Sequence, residues 1–279
     1  MIIDELKKRY PSLTVVKKFP ESGQKQVYLI RLDAYGIVVL KIIKKMDERI
    51  RREIDIVNQN DLPGVPKVKE ISSVQINEDE YFYLFEEYIE GETLSNRLKK
   101  GALSLEESLC LLESLLTVVE KLESLNIVHR DIKPDNIICA NDGSFHLIDF
   151  GIARNLNLTS LTQTAAVMGP HTPGYGAPEL FQYNKAKISS KADLFSVGVV
   201  TYQAIFGKHP FITGKEADIN EIWYQTITVM PESYLIPGDT DSQLMGLIQT
   251  LMQKQVSKRP PSAKKALEWF YTVRKTLTF

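Results

Sequence analysis

The sequence predicts an α+β chain of two unlike lobes, the first small and strand-rich, the second larger and helical. Three observations carry this expectation. Short runs of Val, Ile, Leu and Tyr with strand character crowd the region before Glu90. Leucines at helical spacing take over from Leu105 onward, and the change of pattern falls at Glu90-Gly91. At 279 residues the chain is also long enough to bury a large core and to divide. The expected division is 1–88 for the small lobe and 89–279 for the large one, joined near residues 87–91.

The elements follow in order. Residues 26–31 and 36–43 read as strands, with Asp33-Ala34-Tyr35-Gly36 as the turn between them. Residues 46–58 read as a helix: Glu48/Arg52 and Arg49/Glu53 are opposite charges four apart, and Ile50, Ile54 and Val57 make an apolar stripe. Residues 74–76 and 81–85 form a further strand pair with 77–80 as the turn. A long leucine-rich helix spans 105–125, started by 101–104. From Asp193 onward the chain is mostly helical, interrupted by Pro210, Pro231 and Pro237. No internal repeat or low-complexity tract is evident.

Composition narrows the function classes. The 34 basic and 35 acidic residues leave a formal charge of -1, so no global basic field argues for nucleic acid, and the default partner is not a polyanion. Cys110 and Cys139 lack metal-ligand or redox spacing and read as buried free thiols, a usage that suits a reducing cytoplasm. The N-terminus lacks a basic segment followed by an apolar one, so it does not read as a signal peptide. The strongest membrane candidate, 194–206, is too short to span a bilayer and is broken by Ser196, Gly198 and Gln203; a buried core helix explains it better. No membrane segment is expected in this chain, and nothing in the sequence sets an oligomeric state.

The chemistry concentrates in His129-Arg130-Asp131-Ile132-Lys133-Pro134-Asp135-Asn136 and in Asp149-Phe150-Gly151. Asp131, a carboxylate able to take a hydroxyl proton, precedes Lys133 by two residues and Asn136 by five. Asp149 follows on a strand-like segment and is suited to holding magnesium. An ordinary polar loop would account for His-Arg-Asp alone, but not for Lys133, Asn136 and Asp149 in register with it.

These residues resemble the catalytic and metal-binding loops of the eukaryotic-like serine/threonine protein kinases, most of all the bacterial members. The likeness runs from about Phe19 to Leu267, with its motifs in family order. It implies a bilobal protein-kinase-like fold and transfer of the γ-phosphoryl of ATP to protein Ser/Thr hydroxyls, with Mg2+ (Mn2+ possible) as the metal. By resemblance, Asp131 is the catalytic base, Lys133 offsets charge on the transferring phosphate, and Asn136 and Asp149 hold the metal. His129 is structural, packing beneath Phe150. Lys133 also favours serine/threonine over tyrosine specificity.

For the nucleotide, Lys41 in Val38-Val39-Leu40-Lys41 matches the strand lysine that grips ATP phosphates. Strand alternation puts Val39 and Lys41 on one face, so a valine can cover adenine while the lysine reaches phosphate. Lys44 and Lys45 are rivals that read as solvated. Glu53 is the expected partner of Lys41, with Glu48 second. The family's three phosphate-loop glycines fall here on Pro20, Ser22 and Lys25, leaving Gly23 between them; Ser22 and Gly23 are the remaining loop candidates, and Lys25 is expected to replace close backbone approach with charge. Glu86-Glu87-Tyr88-Ile89 resembles the hinge, placing the backbone of Glu87 and Ile89 against adenine, with Ile138 below the ring and Val27 and Val39 above it. Glu86 then gates the deeper pocket, where a buried carboxylate needs a partner.

The resemblance also implies an activation segment between Asp149 and Glu179. Its Thr159, Ser160, Thr162 and Thr164 are phosphorylation candidates that Arg130 would meet. Thr172 is expected to contact Asp131 and Lys133, Glu179 to pair with Arg259, and Asp193 to brace the catalytic loop. Trp223 and Tyr224 are either core aromatics, the default, or a docking pair. Two other functions stay open: a non-catalytic relative, for which the degraded glycine loop argues, and a small-molecule phosphotransferase, a class that usually lacks Lys133 and Ala177-Pro178-Glu179.

Overall fold

The computed structural model describes residues 2–20, 25–44, 55–149, 154–155, 172–181 and 188–278. They form two compact units, Met1–Asp61 with Val65–Glu90, and Leu62–Gly64 with Gly91–Phe279.

The first unit is built on a five-stranded antiparallel sheet of β1 (Thr14–Lys18), β2 (Lys25–Leu32), β3 (Gly36–Ile43), β4 (Val68–Ile76) and β5 (Asp79–Glu87), in the spatial order β1-β2-β3-β5-β4. The two edge strands depart most from the sequence reading. β1 was not foreseen, and β4 runs well beyond 74–76. Edge strands need no apolar run and are commonly polar, and Lys69, Glu70, Ser72 and Ser73 of β4 are of that kind. The β4–β5 turn is also tighter than expected, because Ile76 pairs with Asp79 and only Asn77-Glu78 connect the strands. Asn77 takes the left-handed backbone (φ 55°) that such a turn requires and that Asn tolerates.

Alternation along β3 sorts the two faces of this sheet. Val38, Leu40 and Ile42 point to one side and join Leu6, Leu13, Ile30, Tyr83 and Phe85 in a buried core. Helix α1 (Ile2–Arg9) covers that face through Ile2, Ile3 and Leu6, with Tyr10 just beyond it packing edge-on to Phe85 at 5.2 Å between centroids. The sequence held the signal for α1: an apolar stripe at helical spacing, Asp4 and Glu5 in the first turn, and Lys7, Lys8 and Arg9 in the last. Val39 and Lys41 lie on the other face. Of the expected helix at 46–58, residues 55–58 are described and are helical.

The second unit is mainly helical: α2 (Leu94–Leu98), α3 (Leu105–Ser124), α4 (Pro178–Phe181), α5 (Ser190–Phe206), α6 (Ile219–Thr228), α7 (Gln243–Leu251) and α8 (Ala263–Arg274). Two small antiparallel pieces accompany them. One joins β6 (Gly91–Thr93), β8 (Ile137–Ala140) and β9 (Phe145–Leu147); the other pairs β7 (Ile127–Val128) with β10 (Arg154–Asn155).

α3 begins with a full capping box, Ser104 and Glu107 each satisfying the other's backbone N–H. It packs against α5 and α8. α5 is buried along nearly its whole length, as a core helix should be, and no helix among the described residues is long and apolar enough to cross a membrane. Gly198 is required there, since a Cβ would lie 2.8 Å from Met252 and 2.9 Å from Leu251. Pro210, Pro231 and Pro237 all fall between helices. Cys110 and Cys139 are free but only half-buried, a correction to the expectation of buried thiols. Burial still pushes the Cys139 thiol up to about 11, which makes it unreactive.

Candidate active site

The second unit brings three of the expected site residues onto one carboxylate. Asp131 Oδ2 accepts from Asn136 Nδ2 at 2.9 Å and lies 2.8 Å from Lys133 Nζ. Its Oδ1 accepts from the Thr172 hydroxyl at 2.7 Å, and Thr172 in turn accepts from Lys133 Nζ at 2.8 Å. The expected contacts of Thr172 are therefore both present. A hydroxyl on a carboxylate, flanked by an ammonium, is the arrangement from which a hydroxyl proton can be taken.

The loop that carries Asp131 is held from beneath. Asp193, fully buried on α5, accepts from the backbone N–H of His129 at 2.7 Å and of Arg130 at 2.8 Å. Arg130 adopts a left-handed backbone (φ 69°) that costs on the order of 1 kcal/mol or more, and this clamp offsets it. His129 Nδ1 accepts from the Asp131 N–H at 3.3 Å. Burial, opposed by the charges of Asp131 and Asp149, pushes the His129 imidazole down to about 4, so it carries no spare proton at neutral pH. His129 is fully buried and held in the loop; Phe150, its expected neighbour, lies outside the described residues.

Asp149 follows directly from this frame. Ile137 of β8 pairs with Leu147 of β9, and the Ile148 N–H donates to the Asn136 carbonyl at 2.8 Å. Asp149 then takes a left-handed backbone (φ 64°), a second non-glycine outlier in the same site. No cluster of three or more His, Cys, Asp or Glu side chains able to hold a metal occurs among the described residues. The donor chemistry suits magnesium nonetheless. Asn136 spends its amide nitrogen on the carbonyl and carboxylate of Asp131, which leaves its oxygen as a donor that would serve a metal together with the Asp149 carboxylate. Magnesium is ordinarily held by one or two carboxylates plus substrate phosphates.

A second brace lies deeper. Arg259 makes a fork-to-fork pair with Glu179, at 2.7 and 2.8 Å, and also donates to the carbonyls of Gln253 and Lys191. Both charges are buried, at 3% and 4% exposure, and this is the expected partnership. Trp223 is buried and packs on Phe181, whereas Tyr224 is 66% exposed, so the core reading is corrected for Tyr224.

In the first unit, Val27, Val39 and Lys41 share one face of the sheet: Val27 is opposite Lys41, and Leu29 opposite Val39. Glu87 donates its N–H to the Lys67 carbonyl at 2.9 Å, so any contact it makes with adenine falls to its own carbonyl. Ile89 belongs to this unit, whereas Ile138 sits on β8 of the second, opposite Thr93 and His146. Lys44 is exposed, with Asp79 at 3.9 Å, as expected of a solvated lysine. Ser22, Gly23, Glu48, Glu53, Thr159, Ser160, Thr162 and Thr164 lie outside the described residues.

Sequence reasoning missed one pair. Lys41 Nζ lies 2.9 Å from Glu86 Oε1 and 2.7 Å from Oε2. The missing signal was register: Glu86 is opposite Val39, which sets it diagonally beside Lys41 on one face.

The chain matches the family model described as the protein kinase domain over residues 22–272. It is 38% identical over 166 residues to the serine/threonine-protein kinase PknA of Mycobacterium tuberculosis, covering 59% of this chain and 38% of the relative. It is 30% identical over 270 residues to the serine/threonine-protein kinase cds1 of Schizosaccharomyces pombe, covering 94% and 56%. With the serine/threonine-protein kinase PrkC of Bacillus subtilis the identity is 31% over 214 residues, covering 73% and 31%. The chain thus spans well under two thirds of the length of these relatives. The motif order, the Asp131 cluster and these matches agree: the chain belongs to the protein kinase domain family, in its serine/threonine branch.

Proposed function

We propose that this chain is an ATP-dependent protein serine/threonine kinase, with 1–88 as the nucleotide-binding lobe and 89–279 as the lobe that carries the transfer chemistry. The observation that carries the reading is the Asp131 carboxylate, which accepts a threonine hydroxyl at 2.7 Å while Lys133 and Asn136 occupy its other oxygen. In the reaction, the acceptor oxygen forms a bond to the γ-phosphorus of ATP as the bond to the bridging oxygen breaks and its electron pair leaves with ADP. Asp131 orients the hydroxyl and takes its proton. Lys133 offsets charge on the transferring group, and Lys41 grips the phosphates. Asn136 and Asp149 would hold magnesium, which when bound neutralises charge building on the phosphate oxygens. Protein substrates, autophosphorylation among residues 159–164 and a cytoplasmic site of action complete the proposal.

The test is incubation of the purified chain with Mg·ATP and a generic acceptor protein, with phosphate mapped by mass spectrometry and Asp149→Ala run alongside. The expected result is phosphoserine or phosphothreonine with the wild type and none with the variant. Binding of Mg·ATP without transfer would favour the non-catalytic reading, and transfer that survives Asp149→Ala would overturn the metal assignment.

A further inference from the structure

Glu86 is an acidic side chain on a face where an adenine pocket calls for apolar cover. It pairs there with Lys41, and both side chains are only 14% exposed. Both carboxylate oxygens engage the one ammonium. The two residues belong to β5 and β3, adjacent hydrogen-bonded strands of a single sheet, and Val39↔Glu86 and Lys41↔Leu84 fix their diagonal approach.

Two physical facts bear on what such a pair does. First, a pair like this is a weak source of stability, since replacing it with apolar groups is often neutral or better. The larger core cluster of this unit lies on the opposite face, and the smaller one on this face, Ile43 and Leu84 with Val68, Ile71 and Phe82, does not include the pair. Second, a free lysine head on a flexible four-carbon stem must give up rotamer freedom when it is fixed on a ligand. A counter-ion built into the neighbouring strand removes much of that freedom in advance. An ammonium has three N–H donors, so a carboxylate can hold it while it donates to a phosphate.

We propose that Glu86 is a positioning residue for nucleotide binding: a counter-ion supplied by the sheet that holds the Lys41 ammonium ready for the phosphates of Mg·ATP. The inference rests on the reading of Lys41 as the phosphate-gripping lysine. It makes the aim of Lys41 a property of strand register.

The test uses the full chain as wild type, Glu86→Gln and Glu86→Asp, with Lys41→Met as the negative control. Three readouts are taken: the KM for ATP and kcat, the melting temperature, and the rate at which an amine-acylating reagent modifies Lys41, followed by mass spectrometry. Glu86→Gln is expected to raise the KM for ATP at least about tenfold, the effect of a misplaced binding group, with a melting temperature lowered by only a few degrees because the partly exposed Lys41 ammonium keeps the glutamine oxygen as an acceptor. It should also speed acylation of Lys41 several-fold. Glu86→Asp, which keeps the charge on a shorter arm, is expected to recover part of both. An active wild type whose Glu86→Gln variant keeps its ATP KM and acylation rate, or binds ATP more tightly, overturns this inference alone. A wild type that binds no Mg·ATP overturns the kinase reading and the nucleotide role together, and the acylation rates then still decide whether the pair forms in solution.

Discussion

The Asp131 cluster and the Lys41 sheet face are built on different principles. Around Asp131 the partners are crowded into a short stretch, two and five residues away, and two distant residues complete the site: Thr172, and Asp193 from the buried helix α5. Around Lys41 the partner among the described residues is far off in sequence. Glu86 lies 45 residues away and arrives because β5 pairs with β3 in one particular register. A loop motif advertises its chemistry through spacing, whereas a sheet pair does so only once strand order and register are known.

The two regions are expected to fail differently when cut. The largest effect belongs to the loop. Asp131→Asn keeps the shape and loses the base, and kcat should fall by about a hundredfold to ten-thousandfold. The ATP KM should stay near its wild-type value, the opposite pattern to that expected of Glu86→Gln. Steady-state kinetics on both variants would break the comparison if the two showed the same KM and kcat signature.

Next comes Arg259→Ala, which strands the buried Glu179 carboxylate without its fork. Breaking a buried pair by removing one partner costs about 3–5 kcal/mol, so chemical denaturation should show a loss of that order. A loss below about 1 kcal/mol would place the pair with surface ion pairs and outside the frame of the site.

The smallest effect is one of pH. Burial pushes His209 down to about 3, and its Nδ1 accepts from the Phe211 N–H, so the ring stays neutral in the fold. An unfolded histidine takes up a proton near pH 6.5, so below that pH the unfolded state binds more protons and stability falls, while above it nothing is lost. Asp193 acts the other way. Its carboxyl, raised by burial to about 7 against the pull of its amide donors, keeps a proton that the unfolded chain gives up, and stabilises the fold as pH falls toward the ordinary aspartate range. The difference between wild type and His209→Gln cancels Asp193 and isolates the histidine. Relative to the variant, the wild type should lose about 1 kcal/mol on going from pH 7.5 to 5.5. Parallel melting curves across that range would contradict it.

Legibility in the sequence followed the same division. The central strands were readable because Val, Ile, Leu and Tyr are concentrated there, and helix 105–124 because its leucines recur at helical spacing after 101–104. The edge strands were less so, because Lys, Glu and Ser are interleaved with their Val and Ile and break the apolar run. α1 carries a stripe and a charge order, but at eight residues it is too short for a strong periodicity signal. Thr172, Glu179 and Asp193 were reached through family resemblance, since no local pattern links residues so far apart.

By itself the sequence determined the family and the candidates for the catalytic carboxylate, its lysine and asparagine, the second aspartate and the strand lysine, because each sits in a short motif whose spacing is its geometry. Tertiary structure decided what those groups touch. Asp193 came to the loop through the packing of a buried helix, Arg259 reached Glu179 through the helical core, and Glu86 reached Lys41 through the register of two strands. Contacts of that kind depend on how elements pack and pair, and residue spacing along one chain does not encode them.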